Sequence, residues 1–188
     1  MTNNKAYDEA KEASENEMKE DEMKSKQPQI VEVRPKVLDA EVVRFQNNKE
    51  KWVAFVGLLD GAPYEIFTGI QDDEEGIMLP KSVTTGRIIK NYDENGVKHY
   101  DFQFENKRGY KMTIEGLSEK FNKEYWNYAK LISGMLRYRM PIEQVIKLIR
   151  GLELDNENIN TWKAGVERAL KKYVQGGSEL QEGTSQES

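Results

Sequence analysis

The stretch Trp52-Val53-Ala54-Phe55-Val56-Gly57-Leu58-Leu59, followed by Asp60-Gly61 and then by Pro63 to Ile70, decides the fold of this chain. Its first part is an apolar run of strand length, rich in β-branched and aromatic side chains, which predicts a β-strand. Asp-Gly is a strong turn signal, and an alternating pattern resumes after it. The sequence therefore predicts a β-hairpin with a loop of three or four residues.

Strand patterns continue on both sides of this hairpin, over residues 37–114. Valines and Phe45 open the region, and a second hairpin is predicted from 87–92 and 97–104 across Asp93-Glu94-Asn95-Gly96. In its second strand Tyr100, Phe102 and Phe104 fall on one face because side chains alternate along a strand. A last strand is predicted around residues 110–114. The strand order stays open, since several topologies fit the same hairpins.

The hydrophobic period changes from 2 to 3.6 after Gly116, which predicts helices. The first helix is predicted over 123–139 with Asn122 as its N-cap. The second begins with Pro141, whose missing N–H is harmless there, and ends at Gly151. A third carries Trp162. Strands followed by helices predict an α+β fold: an antiparallel β-sheet of hairpins followed by three helices packed on one face, with disordered termini.

Charge divides the 188-residue chain into three parts. Residues 1–30 hold eight acidic and five basic side chains, and residues 175–188 hold three acidic ones and no basic one. Each end therefore has a net charge of −3, whereas the whole chain has −5. Residues 31–174 are thus close to neutral. We predict a disordered acidic leader (1–30), an α+β domain (31–174) and a disordered tail (175–188). The leader has a second interpretation, a short docking helix that uses Met18 and Met23.

The sequence contains few candidates for catalytic residues. The chain has no cysteine and a single histidine, His99, which excludes thiol chemistry and any site that needs two histidines. The acidic run 72–76 lacks the alternating spacing of a calcium loop. No metal site and no catalytic residue are predicted. Two basic–aromatic clusters supply candidate phosphate or partner contacts: Lys107 and Arg108, and Arg137 and Arg139. The stripe of aromatic residues at 125, 126, 128 and 162 is predicted to be core.

The chain has no apolar run long enough to cross a membrane and no apolar signal core near its start. These patterns, with the absence of cysteine, predict a cytoplasmic protein that does not contact a membrane.

Several segments, in order, resemble one enzyme family. They are Arg34-Pro35-Lys36-Val37-Leu38, then 61–67 (Gly-Ala-Pro-Tyr-Glu-Ile-Phe), and then 136–146 (Leu-Arg-Tyr-Arg-Met-Pro-Ile-Glu-Gln-Val-Ile). Over residues 34–174 the chain resembles the C-terminal region of adenosylcobalamin-dependent (class II) ribonucleotide reductases. In that family a small domain named for a Thr-Ser-Cys-Pro-Asp motif, the TSCPD domain, follows the catalytic barrel.

The chain departs from the family pattern where chemistry is concerned. The region of the naming motif reads Asn-Thr-Trp-Lys-Ala-Gly at 160–165, without cysteine or proline. The resemblance implies an enzyme that uses a cysteine radical, a reducing cysteine pair and adenosylcobalamin, and no residue of those sites maps to this chain. We therefore expect no cofactor on the chain itself and no reductase activity from it alone.

Two hypotheses follow. In the first, the chain is a non-catalytic accessory or split-off subunit that binds a ribonucleotide reductase catalytic chain in deoxyribonucleotide synthesis, hence in supply for DNA replication. Its start methionine and acidic leader predict a free-standing protein. In the second, it is a regulatory domain that binds a nucleotide or nucleic acid through Lys107, Arg108, Arg137 and Arg139. The oligomeric state, and whether the chain activates, inhibits or tethers a reductase, are left open.

Overall fold

A single six-stranded antiparallel sheet followed by helices forms the domain, as the sequence predicts. The computed structural model describes residues 4–26, 30–153 and 157–174. The strands are β1 (Val37–Asn47), β2 (Glu50–Leu59), β3 (Ala62–Ile70), β4 (Thr85–Tyr92), β5 (Lys98–Glu105) and β6 (Lys111–Ile114). The helices are α1 (Asn4–Lys26), α2 (Leu117–Lys120), α3 (Lys123–Arg137), α4 (Ile142–Arg150) and α5 (Glu157–Lys171). The α+β fold class is confirmed.

The strand order, which the sequence left open, is β3-β2-β1-β4-β5-β6. The predicted hairpin is formed by β2 and β3, but Leu59 pairs with Ala62, so its loop has two residues and not three or four. Asp60 and Gly61 both take positive φ, 52° and 78°. Positive φ at both central positions gives a turn whose twist matches that of the strands, and this permits the shorter loop.

The sheet is strongly curled. β3 and β5 are four strand intervals apart in the sheet, a separation of about 19 Å if the sheet were flat. Yet the rings of Phe67 on β3 and Tyr100 on β5 have centroids 5.0 Å apart. The curl encloses an inner cluster of buried residues from five strands and the segments around them: Ala40, Val42, Val53, Phe55, Phe67, Ile77, Leu79, Val83, Ile88, Phe102, Phe104, Leu117 and Phe121.

The opposite face of the sheet carries the helices. Trp52, Ala54 and Val56 alternate with the inner residues of β2 and pack against α3, α4 and α5. Trp162 of α5 is fully buried, and its Nε1 donates a hydrogen bond of 2.9 Å to Thr68 Oγ1 on β3. The packing of three helices on one face is thus confirmed.

The helix boundaries follow the predicted signals closely. Asn122 Oδ1 accepts a hydrogen bond from Glu124 N at the start of α3, as predicted for an N-cap. α3 ends at Arg137, two residues before the predicted end, and Pro141 is the residue before α4 and not its first residue. The short helix α2 has no strong sequence signal and was not predicted.

α3 covers the free edge of the sheet. β3 is an edge strand, so one side of its backbone has no strand partner. Ser133 of α3 satisfies that backbone at one residue: its Oγ accepts from Ile66 N at 3.0 Å and lies 3.2 Å from Ile66 O, and it donates to Ala129 O at 2.7 Å. One hydroxyl therefore joins the helix to the edge strand.

The acidic leader contains helix α1, within a unit of its own over Met1–Ile30. The side chains described in α1 are exposed, including Met18. A helix without a buried face is marginal in water, so disorder of this leader in solution stays a prediction. The side chain of Met23 and the predicted disordered tail, 175–188, lie outside the described residues.

Replacing Ser133 with alanine removes the hydroxyl that serves the edge of β3. We expect Ser133→Ala to lower the free energy of unfolding by about 1–3 kcal/mol, because Ile66 then has polar backbone groups without a partner. Urea unfolding followed by tryptophan fluorescence measures this. Ser82→Ala, at an exposed serine, is the matched control and should change stability by less than about 0.5 kcal/mol. Equal effects of the two variants would contradict this role of Ser133.

Ionisation of Tyr173 should lower the stability of the domain at alkaline pH. Burial raises the pKa of its phenol to about 12, and its hydroxyl is buried with no hydrogen-bond partner among the described residues. The folded state thus holds this proton more tightly than the unfolded state, whose phenol titrates near its ordinary value of 10.0. The stability that this provides is complete below pH 10 and is lost as the pH rises to about 12.

We expect Tyr173→Phe to increase stability at neutral pH, by about 1 kcal/mol, because it removes a buried hydroxyl without a partner. The variant should also lose less stability than the parent between pH 10 and 12. Denaturant unfolding at several pH values, with an ultraviolet absorbance titration of the phenols, tests both statements. A Tyr173→Phe protein that is destabilised at neutral pH would show that the hydroxyl has a stabilising role.

Candidate functional site

The four predicted contact residues lie on separate elements of the structure. Lys107 and Arg108 lie in the exposed turn between β5 and β6, which Asn106 closes by accepting from Arg108 N at 2.9 Å. Arg137 is the last residue of α3, and Arg139 follows it with a positive φ of 58°. The structure brings Arg137 and Arg139 together near Tyr64 and leaves the other pair on the β5–β6 turn.

Tyr64 is the point at which the two arginines meet the sheet. The guanidinium carbon of Arg137 lies 5.0 Å from the centroid of the fully buried Tyr64 ring. Burial raises the pKa of Tyr64, and the charges of Arg137 and Arg139 oppose that rise. Its hydroxyl donates to Val31 O at 2.7 Å, which ties the segment before β1 to β3.

Next to Tyr64 lies a buried ion pair. Arg34 and Glu65 have side chains only 2% and 3% exposed. Arg34 Nε donates to Glu65 Oε2 at 2.7 Å and Arg34 Nη2 donates to Oε1 at 2.5 Å, a two-pronged arrangement. Such geometry is the strong form of an arginine–carboxylate contact. In the sequence, both residues lie in segments that resemble the reductase family, but no local pattern shows that their side chains meet.

The remaining N–H groups of Arg34 donate hydrogen bonds to backbone carbonyl groups. Its Nη1 donates to Pro35 O and Lys36 O at 2.5 and 3.0 Å, and its Nη2 reaches Ile88 O on β4 at 3.3 Å. Its guanidinium carbon also lies 5.3 Å from the ring centroid of Tyr100 on β5. One side chain therefore links the segment before β1 with β3, β4 and β5.

Gly57 makes room for this ion pair. Gly57 on β2 pairs with Glu65 on β3. A Cβ atom at position 57 would lie 2.6 Å from Glu65 Cγ, closer than Cβ atoms approach other atoms, and 3.1 Å from Glu65 Oε1. Glycine is required there because the glutamate side chain lies against its backbone.

A cavity of about 340 Å³ opens beside the ion pair, and we call it the α3–β5 cavity. Its lining combines one acid, three bases, aromatic rings and small residues: Glu65, Phe67, Lys98, Tyr100, Ser118, Trp126, Lys130, Ser133, Gly134 and Arg137. Of the residues singled out from sequence, Arg137 lies here, and Lys107, Arg108 and Arg139 do not. Lys98 and Lys130 were missed because they come from different elements and neither stands in a basic cluster.

Trp126 departs from the aromatic stripe that was predicted as core. Tyr125, Tyr128 and Trp162 do pack together on the helical face, with ring centroids 5.6–6.3 Å apart. Trp126 instead points to the inner cluster, 4.9 Å from the Phe67 ring, and lines the cavity half-buried. The reason is helical geometry, since adjacent residues on a helix face different directions.

The other candidates for chemistry have structural roles. His99 is a partly exposed residue of β5, paired with Asn91. Asp72 Oδ1 accepts from Glu74 N and Glu75 N, and these bonds lower the pKa of Asp72 while they close its loop. Within residues 4–26, 30–153 and 157–174 no group of three or more histidine, aspartate or glutamate side chains is placed to hold a metal ion. No helix in the same part of the chain is long and apolar enough to span a membrane.

Removal of one partner from the buried ion pair should be costly. We expect Glu65→Gln to lower the free energy of unfolding by about 3–5 kcal/mol, because Arg34 is left as a buried charge without its counterion. The matched control is Asp39→Asn in the exposed pair of Asp39 with Arg87, 3.7 Å apart, where the change should stay within about 1 kcal/mol. Denaturant unfolding measures both, and a similar small loss in each would contradict the importance of the buried pair.

Comparison with known families identifies one domain family. Residues 38–175 match a family model described as the NrdJ homologue C-terminal domain. No match was found among curated proteins, and none among solved structures. The matched region begins in β1 and includes every element of the sheet and all helices that follow it. The chain belongs to the family of NrdJ-homologue C-terminal domains and is a module related to ribonucleotide reductase.

Proposed function

We propose that this domain is a non-catalytic accessory module that binds the catalytic chain of a ribonucleotide reductase of the adenosylcobalamin-dependent class. The observation that carries the proposal is a match to the family domain over residues 38–175 in a chain without a single cysteine. Family membership connects the domain to the reductase. Because the chain has no thiol, we infer that the radical chemistry belongs to another polypeptide segment. Its role would be in deoxyribonucleotide synthesis, in the cytoplasm, and by ancestry it corresponds to the TSCPD-type domain.

Adenosylcobalamin belongs to the catalytic chain in this proposal. The α3–β5 cavity, at about 340 Å³, is too small for a corrinoid. The residues around it are cationic and aromatic side chains that suit a smaller ligand. No chemical step of ribonucleotide reduction is assigned to this domain, because the chain has no cysteine.

The outer surface of α3 supports a docking role. Leu131 of α3 and Tyr138, the residue directly after the last residue of α3, are 71% and 58% exposed, and a separation of seven residues places them on one side of the helix and its C-cap. Gly134, between them, is exposed and has open space where a side chain would stand. Exposed apolar side chains in line on a helix are typical of a protein–protein contact. The position is also close in sequence to Arg137 and Arg139, which the sequence predicted as partner contacts.

The nucleic-acid hypothesis has less support. A nucleic-acid surface needs a continuous basic patch, and residues 31–174 have almost no net positive charge. Lys107 and Arg108 lie on the turn between β5 and β6, whereas Arg137 ends α3 and Arg139 follows it. Those two residues and the arginines after α3 do not belong to one element. We therefore place the reductase-binding role first.

The test is a binding measurement between this chain and the reductase catalytic chain of the same cell. We expect Leu131→Glu combined with Tyr138→Glu to weaken the complex by about 30-fold or more, the effect of losing an interface residue worth about 2 kcal/mol. Val97→Glu is the matched control, at another exposed apolar residue on the hairpin of β4 and β5, and should leave binding unchanged. Isothermal titration calorimetry gives the affinity, and circular dichroism checks that each variant is folded.

A reductase assay with and without the domain completes the test. A change in turnover that the α3 variant abolishes and the Val97 variant retains supports an accessory role. If the purified catalytic chain neither binds the domain nor changes in activity when the domain is added, the proposal is wrong.

A further inference from the structure

The α3–β5 cavity holds more positive charge than its surroundings neutralise. Among the described residues, Glu65 is the only acidic one that lines the cavity, and Arg34 already pairs with that carboxylate through two hydrogen bonds. Three cations remain: Lys98, Lys130 and Arg137. None of the three is within ion-pair distance of a carboxylate among the described residues. Like charges around one cavity repel each other, so an anion bound between them would be stabilised.

Arg137 also carries a donor without an acceptor. Its Nε is buried and has no hydrogen-bond partner among the described residues, although its guanidinium carbon lies over the Tyr64 ring. A buried donor of a charged group that lacks a partner costs free energy. Arg137 lines the cavity as well, and the fork of an arginine suits phosphate and carboxylate oxygens.

Aromatic rings line the same cavity, and Lys98 Nζ lies 5.8 Å from the centroid of one of them, Tyr100. Phe67, Tyr100 and Trp126 form one group in which the ring centroids are 4.9–6.0 Å apart. Phe67 is buried, whereas Tyr100 and Trp126 keep part of their surface open at the cavity. Rings arranged in this way offer a stacking surface to a planar group.

The size of the cavity limits the ligand to a small molecule. Ligand cavities typically occupy about 300–1,000 Å³, and this one lies at the lower end of that range. A single planar group with one or two anionic groups suits the volume, whereas a nucleic-acid strand does not. A nucleoside phosphate combines the planar ring and the anion in one molecule.

We propose that the α3–β5 cavity is a binding site for a nucleoside phosphate. The base lies against Trp126 and Tyr100, and Lys98, Lys130 and Arg137 bind the phosphate oxygens. This site differs from the residues first considered for a nucleotide, because it uses two lysines from β5 and α3 and excludes the turn that holds Lys107 and Arg108. It requires no contact with a reductase chain, so it is independent of the docking role.

Trp126 provides the readout. The chain has three tryptophans, and Trp52 and Trp162 are at most 2% exposed, which leaves Trp126 as the one that a ligand in this cavity can contact. We expect AMP, GMP, CMP or UMP, titrated into the full chain at low salt, to change its tryptophan fluorescence. Trp126→Phe should abolish that change. Calorimetry gives the affinity for both proteins independently of fluorescence.

Two pairs of basic residues discriminate between the cavity and the turn. Lys98→Gln combined with Lys130→Gln should lower the affinity for the best of the four nucleotides by about tenfold or more. Lys107→Gln combined with Arg108→Gln removes the same charge from the β5–β6 turn and should leave the affinity unchanged. All four side chains are exposed residues of the surface, so the variants should fold, and thermal unfolding verifies this.

Two further ligands separate the ring from the anion. Adenosine and inorganic phosphate should each bind more weakly than AMP, because each satisfies only one part of the site. Affinity for AMP equal to that for inorganic phosphate would reduce the site to a simple anion site and overturn the proposal. The absence of binding by all four nucleotides would overturn it as well, and so would a loss of affinity only in the variant of the β5–β6 turn. These outcomes use the chain alone and do not bear on reductase binding.

Discussion

The buried pair of Arg34 and Glu65 is the interaction on which the shape of the domain depends. Glu65 is on β3, and Arg34 also reaches the Ile88 carbonyl on β4 and the Tyr100 ring on β5. In a flat sheet with this strand order, β3 and β4 would be three strand intervals, about 14 Å, apart. One guanidinium contacts both only because the sheet curls. The same curl closes the inner apolar cluster, so charge pairing and core packing require one backbone shape.

The curl also creates the seam that α3 occupies. With β3 at the edge of the sheet, its backbone needs a partner, and Ser133 provides one at Ile66. α3 then faces both cores: Ala129, Ile132 and Leu136 join the outer, helical cluster, while Trp126 joins the inner one. The cavity lies where this helix meets β3 and β5. Because α3 covers the edge strand β3, a cavity lined by charged and aromatic residues forms between them and β5.

Family membership relates the domain to an enzyme, whereas its own surfaces carry groups suited to binding. The family places this domain beside ribonucleotide reduction, an activity whose thiols the chain does not have. We propose recognition as its role, through exposed apolar residues at α3 for a protein and a cationic cavity for a small anion. The two surfaces share Gly134 of α3, which lines the cavity and is also exposed between Leu131 and Tyr138. A ligand in the cavity would therefore lie beside the residues that we expect to contact the reductase.

Local sequence determined the elements of this protein, and only the tertiary structure decided its site. Asp60-Gly61 predicts the β2–β3 hairpin, Asn122 predicts the start of α3, and alternation in β5 predicts its buried face, because each signal acts over a few residues. Sequence left open the strand order, predicted a β2–β3 loop that is one or two residues too long, and did not show that Trp126 faces the inner cluster and the cavity. It also gave no reason to join Arg34 to Glu65, or Lys98 to Lys130. Arg34 and Glu65 are 31 residues apart in sequence, and Lys98 and Lys130, which line one cavity, are 32 apart. Both placements arise from the curl of the sheet and the packing of α3 on its edge, which no local pattern encodes.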